Sequence, residues 1–216
     1  LTAGILAAEH NAKSDDGINI TLIESPNVSS VGVGEGTWPT MKNTLQTIGI
    51  REDEFIRCCD ASFKQGSQFI GWLNKENNNS YYHPFVAPHG FGQCNLVSQW
   101  QQTNNNIPFA HALSFQPHLC DHGRAPKQIQ TPQFAAVANY GYHLDATKFA
   151  ILLQQHCVNK LGVKHVVDHV SQVNGLVNEN ISSISTQNKG DIKGDLFIDC
   201  SGSSALLIGK HYQIPF

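Results

Sequence analysis

Lys64 lies in the run Ser62 to Trp72 (SFKQGSQFIGW), with Phe63, Phe69 and Trp72 around it and Gly66 clearing space beside it. An ammonium taken out of water among aromatic rings can donate a hydrogen bond to an electrophile or, as the free amine, act as a nucleophile. On an ordinary strand the same lysine is only solvated. Further on, Tyr81-Tyr82-His83-Pro84-Phe85 offers an imidazole and an aromatic edge of the kind that clamps a flat ring, though both residues equally suit packing. Ile18 to Glu24 (INITLIE) is β-branched and ends on a carboxylate, which in a dinucleotide-binding unit takes the ribose hydroxyls. Many strands end on an acid merely because the next residue meets water. Val31 to Thr37 (VGVGEGT) places Gly32, Gly34 and Gly36 in alternation, a backbone that a ligand can approach closely. Leu196 to Gly202 (LFIDCSG) is a second apolar run closing on an acid, Asp199, and a glycine, Gly202. The stretch His118-Leu119-Cys120-Asp121-His122 holds metal-ligand types, but a fourth ligand would have to come from elsewhere and no second cluster is visible. The reading there is a histidine-bearing loop and no metal site.

The elements that must position these groups follow from periodicity and punctuation. Leu1 to Asn11 has helical spacing, Asp15-Asp16-Gly17 reads as a turn, and Ile18 to Glu24 reads as a buried parallel strand. Helices are expected from Thr40 to Ile48, ended by Gly49, and from the acidic turn Glu52-Asp53-Glu54. Ser62 to Trp72 reads as one strand, Asn74 to Ser80 as a polar turn, and Phe85 to Tyr140 as long loops with short helices. Asp145 to Leu161 is a helix with Asp145 as its N-cap and Gly162 following it. Strands are expected over Val163 to Val170 and Asp195 to Cys200, and a ribbon over Gln172 to Thr186 turning near Asn174-Gly175. Ser201 to Ser204 should then turn into a helix starting at Ala205.

Composition narrows the classes. The chain has 216 residues, 14 Lys+Arg against 17 Asp+Glu, and only 14% charged residues, with the polarity carried instead by 18 Asn and 16 Gln. No basic block offers a phosphate footprint, so nucleic acid is not the expected partner. No apolar run approaches the roughly 20 residues of a membrane helix. Six cysteines without framework spacing suit a reduced, cytoplasmic protein. A helix feeding a strand that ends in Glu24 is the second half of a βαβ unit, whose first strand and glycine turn would precede Leu1. The fold class is α/β, an FAD-binding Rossmann-like core with an inserted loop- and helix-rich substrate module. Residues 1–73 and 141–216 are expected in the core and 74–140 in the insertion.

The order Val31-Gly-Val-Gly-Glu-Gly-Thr-Trp-Pro39, Ser62-Phe-Lys64, Tyr82-His-Pro-Phe85, Tyr142-His-Leu-Asp145 and Asp195-Leu-Phe-Ile-Asp-Cys-Ser-Gly202 resembles the flavin-dependent tryptophan halogenases along essentially the whole chain. The resemblance implies a flavin-monooxygenase-type core and reduced FAD supplied by a separate flavin reductase. It further implies oxygen, and chloride or bromide as co-substrate, yielding hypohalous acid that travels to a lysine beside an aromatic, tryptophan or indole-like substrate. Lys64 matches that lysine, holding hypohalous acid by hydrogen bonding or as a haloamine. His83 and Phe85 match the lining of the indole pocket. Glu24, Ser25, Val33, Gly34, Glu35 and Gly36 match the FAD-contacting strand end and loop, with Gly36 where the family often has Ala. Val167 falls on the adenine-side strand, and Asp199 and Gly202 on the late FAD strand. A homodimer is compatible with this reading. The resemblance also places roughly 15 residues, one strand and its turn, before Leu1, and the family's catalytic glutamate and Trp-x-Trp-x-Ile-Pro motif beyond Phe216. A flavin-dependent aromatic hydroxylase and a non-catalytic FAD-binding protein of halogenase type are the alternatives; Lys64 in its aromatic setting separates the halogenase from the hydroxylase, since hydroxylation needs no lysine relay.

Overall fold

The computed structural model describes residues 1–11, 17–28, 35–72, 79–103 and 106–215. The expected turn at Asp15-Asp16, the glycine alternation at 32–34 and most of the polar turn after Leu73 lie outside them. Helix α1 (Thr2–Asn11) leads to β1 (Thr21–Glu24), which pairs in parallel with β6 (Lys164–Val167) in the register Thr21↔Lys164 to Glu24↔Val167. Two strands 140 residues apart in the chain are thus neighbours, as a βαβ unit carrying a long insertion requires. The helix preceding β6 is α7 (Ala146–Leu161), and it packs on α1. Gly4 permits that approach, because a Cβ there would lie 3.0 Å from Cys157 Sγ. Ala7, Cys157 and Val163 form the buried seam, with Ile20 and Leu22 against it.

Sequence signals set the ends of α7. The Asp145 carboxylate accepts from the Lys148 backbone N–H at 2.9 Å, and Gly162 takes the left-handed conformation at φ 69°. Asp145→Ala is expected to lower the protein's stability by about 1 kcal/mol in urea denaturation, with no change in denaturant slope. Helix α2 (Met41–Ile48) ends the same way on Gly49, at φ 80°. Helix α3 (Glu52–Cys58) follows at once and brings the chain into β2 (Ser62–Lys64).

The strand expected over Ser62 to Trp72 is two strands in two sheets. β2 pairs antiparallel with β5 (Gly141–His143), whereas β3 (Gly66–Ile70) forms a hairpin with β4 (Ser80–Pro84), in which Phe69 stacks on its cross-strand partner Tyr81 at 5.0 Å. Gly66 allows the crossing: a Cβ there would stand 2.5 Å from His83 O. Between β4 and β5 the described residues carry three short helices, α4 (Leu96–Thr103), α5 (Phe109–Leu113) and α6 (Gln116–Asp121).

Beyond α7, the strand expected over Val163 to Val170 breaks at Asp168. Its carboxylate accepts the backbone N–H groups of His169, Asn188 and Lys189 and so ends β6 before β7 (Val170–Asn174) begins. Burial opposes ionisation of Asp168, but these hydrogen bonds outweigh it and bring the carboxyl down to about 2. The ribbon gains a third strand, in the order β7-β8-β9, with β8 Ser183–Thr186 and β9 Gly190–Lys193. Asp195 to Cys200 is not a strand: it has no ladder partner among the described residues, and Leu196 is 79% exposed. No helix among the described residues is long and apolar enough to cross a membrane.

Candidate active site

β5 is the centre of the Lys64 site. On one side it pairs with β2, so that Lys64 faces Gly141 and Phe63 faces Tyr142. On the other side runs the segment Glu35–Thr37: Gly36 bridges to His143, Thr37 N–H donates to Tyr142 O at 2.7 Å, and Leu144 N–H to Glu35 O at 3.0 Å. Gly141 makes this layering possible, because a Cβ on it would sit 2.5 Å from Thr37 O. With that backbone drawn in, Lys64 Nζ comes to 5.8 Å from the Trp38 ring centre and 5.7 Å from that of Phe85, both at cation–π range. The two rings are 5.6 Å apart. A methyl on Gly36 would lie 3.1 Å from Lys64 Nζ and 3.4 Å from the His143 ring, so glycine there lets the backbone run close to both ammonium and imidazole. Among the described residues no carboxylate pairs with Lys64. The site therefore joins a cation and two flat rings, an arrangement that can hold a polar electrophile against an aromatic ring.

A second set of predicted residues meets elsewhere. Glu24 and Val167 are register partners at the carboxyl ends of the parallel pair β1–β6, where α/β sheets take nucleotides. The Glu24 side chain is 51% exposed and accepts from His165 Nε2 at 2.9 Å. Ser25 Oγ is hydrogen-bonded to His169 Nδ1 at 3.1 Å, and Asn27 reaches the other nitrogen of that ring.

The other predicted residues that the structure describes do not join these two groups. His83 lies exposed on β4 opposite Ser67, away from the contacts that define the lysine site, while Phe85 two residues on is within them. Asp199 spends its carboxylate on its own loop, accepting from Ser201 N–H and Oγ–H and, through Oδ2, from Leu207 N–H at 2.8 Å, which caps the helical turn Leu206–His211. Burial works against its charge, and these donors still hold it below the usual carboxylate range. Gly202 adopts φ 59° beside it. Val33 and Gly34 lie outside the described residues. The histidines around Cys120 do not converge on a common point: His118 and His122 bond to main-chain carbonyls, and Asp121 accepts from Tyr82 and His111.

Two features escaped the sequence reading. Trp38 stands 5.8 Å from Lys64 Nζ, although in the sequence it carried no role beyond its place in the Val31–Pro39 run. Glu52, expected only as an acid in the first turn of a helix, is buried and accepts from Tyr140 (2.5 Å), Tyr142 (2.7 Å), Lys127 (2.8 Å) and the Phe134 N–H (2.8 Å). The alternation Tyr140-Gly141-Tyr142 was the available signal, since period two puts both phenols on one face.

The family model described as tryptophan halogenase matches residues 2–216. The chain belongs to the tryptophan halogenase family. As a member it is 34% identical, over its whole length, to the tryptophan 7-halogenase RebH of Lentzea aerocolonigenes, of which it spans 43%. It is 29% identical to the tryptophan 6-halogenase SttH of Streptomyces toxytricini, spanning 45% of it. Among solved structures it is similar to the tryptophan halogenase of Shewanella frigidimarina, with 50% identity, TM-score 0.90, and coverage of all of this chain and 42% of that one. The tryptophan halogenase fold of SttH matches with TM-score 0.85 over all of this chain and 43% of that one. The halogenase-family chain thus spans under half the length of the relatives it matches, and its α/β architecture is the Rossmann-like FAD-binding fold of these flavin-dependent halogenases.

Proposed function

We propose that the complete protein carrying this chain halogenates a small aromatic, tryptophan or indole-like molecule, with reduced FAD, oxygen and chloride or bromide as co-reactants. The observation that supports this most is the Lys64 ammonium at cation–π range of both the Trp38 and Phe85 rings, with the Gly36 backbone close beside it. The chain's residues also suit the cofactor: Glu24 offers a half-exposed carboxylate to ribose hydroxyls at the strand ends, beside Val167, with Ser25 next in line. Gly36 and its neighbours then connect the cofactor-side loop to the lysine, and residues 74–140 belong to the module that shapes the substrate pocket. When bound in reduced form, FAD supplies the electrons that, with oxygen and halide, give hypohalous acid.

Lys64 does the positioning step. It donates an N–H to the oxygen of hypohalous acid, which draws electron density off the halogen. Phe85 and Trp38 supply flat walls against which an indole can lie. As the ring carbon bonds to halogen, the O–X bond breaks and its electron pair stays on oxygen; that oxygen leaves as water after collecting a proton, and the ring loses its own proton. A lysine rather than an acid suits this role because an ammonium is a compact donor that offers no competing negative charge. A separate reductase delivers the reduced flavin. The full-length protein with FAD, a flavin reductase, bromide and tryptophan should yield bromotryptophan, recognised by the bromine isotope pair in its mass spectrum. Hydroxytryptophan without any brominated product would overturn the reading in favour of a hydroxylase.

A further inference from the structure

We propose that Glu52 is a positioning residue for Lys64: through Tyr140 and Tyr142 it clamps strand β5, the strand against which Lys64 is registered. The proposal deepens the functional reading above and rests on it for the meaning of Lys64, although the clamp itself is a matter of geometry. Glu52 opens α3 and Lys64 ends β2, twelve residues later, with the short link Cys59–Ala61 between. β2 pairs only with β5 among the described residues, and the Lys64↔Gly141 pair lies between the two tyrosines, Tyr140 just before β5 and Tyr142 inside it. Both phenols donate to the same oxygen, Oε1, at 2.5 and 2.7 Å. The carboxylate therefore closes a triangle of α3, β2 and β5 whose free corner carries the Lys64 ammonium.

The other oxygen ties in a fourth element. Oε2 accepts from Lys127 Nζ and from the Phe134 backbone N–H, so the loop through 127–134 is anchored to the same group. Gln133 completes the link by accepting from the Glu52 backbone N–H at 2.9 Å. The rings around it are packed edge to face: Phe63 on Tyr140 at 5.0 Å and Phe55 on Tyr142 at 4.9 Å. Phe63 precedes Lys64, so a shift of either phenol moves the lysine's own strand. The structural alternative is that Glu52 merely stabilises the core. The two differ in what happens at Nζ: without the carboxylate bonds the Tyr140 and Tyr142 rings can move, and Phe63, packed edge to face on Tyr140, carries that movement to Lys64.

The test uses the full-length protein and two gentle changes: Tyr140→Phe with Tyr142→Phe, which keeps both rings, and Glu52→Gln, which keeps an acceptor for the phenols but faces Lys127 and the Phe134 N–H with an amide. The direct readout is the rate at which the Lys64 amine is acetylated at several pH values, followed by mass spectrometry, with exposed Lys164 and Lys193 as internal controls. The double phenylalanine variant should change the Lys64 rate at least threefold and leave the controls unchanged, and Glu52→Gln should fall nearer the parent. With tryptophan and bromide, the double variant should lose at least tenfold in kcat with KM within twofold, while flavin oxidation continues and more hypobromous acid escapes to a diffusible scavenger. An unchanged Lys64 acetylation rate, or a change shared by the control lysines, overturns the proposal whatever happens to turnover. The reading of Lys64 itself is judged separately by Lys64→Ala: normal bromination in that variant removes the relay but leaves the clamp standing on its acetylation result.

Discussion

Replacing Lys64 with Met should reduce halogenation of tryptophan by about 10²–10⁴-fold, the usual worth of a positioned proton donor or electrostatic group at the reacting centre. Binding of FAD should be unchanged. Met is the informative substitution because it keeps an unbranched stem beside Trp38 and Phe85 and removes only the charge and its hydrogens. Glu24 and Val167 stand apart from it at the ends of β1 and β6, and the substitution leaves the Gly36 backbone in place, so the cofactor should bind with the same affinity by flavin fluorescence. Lys64→Arg is not a mild control: a guanidinium is larger and flat, and a single methyl on Gly36 would already be 3.1 Å from Nζ. Product analysis by mass spectrometry decides the matter; a Met variant that brominates at the parent rate refutes the role given to this lysine.

Replacing Glu52 with Leu should cost about 3–5 kcal/mol of stability, the range for removing one partner of a buried ion pair. The side chains of Glu52 and Lys127 are only 4% and 9% exposed, so the ammonium left behind has little access to water. Two phenols and the Phe134 N–H lose their acceptor as well. Adding Lys127→Met to Glu52→Leu should recover part of the loss, because the unpaired charge then disappears. Urea denaturation of the four proteins checks this, and additive losses in the double variant would contradict it.

Acid should reveal the same group. Burial opposes the charge on Glu52, but hydrogen bonds from Lys127, Tyr140, the Phe134 N–H and Tyr142 outweigh it, and its carboxyl is held below the usual value. Burial together with the Glu52 charge pushes both phenols well above their ordinary range, so they remain donors. A carboxyl whose pKa is lower in the folded state binds fewer protons there than in the unfolded chain, so stability rises with pH across that interval. The contribution of Glu52 is complete above about pH 4.3, the ordinary glutamate value, and is lost as pH falls through the folded pKa. The parent should therefore lose more stability than Glu52→Leu on acidification below that point. Asp168, also depressed, leaves the variant with some acid sensitivity of its own.

Much of the site's membership was legible in the chain because it depends on local chemistry. Asp145 and Gly162 announce the ends of α7, since a cap and a left-handed residue act within one turn. Lys64 stands out by its aromatic neighbours, and Glu24 by ending a β-branched run. The differences have a common root: a ladder needs a partner, and the apolar pattern of Asp195 to Cys200 does not name one. Ser62 to Trp72 alternates as one strand although Gly66 sends its halves into different sheets.

The sequence alone determined the α/β class, the helix ends, the family resemblance and the candidacy of Lys64, because residue type and short-range spacing carry those properties. Only the tertiary structure decided what surrounds that lysine. Trp38 reaches it because Gly141 lets the 35–38 backbone close on β5, and Glu52, legible only as a first-turn acid, becomes a buried acceptor because Tyr140, Tyr142 and Lys127 arrive from 75 to 90 residues away. Hydrogen bonds over such separations leave no local pattern, since each partner's neighbours in sequence are spaced for their own element rather than for the carboxylate they meet.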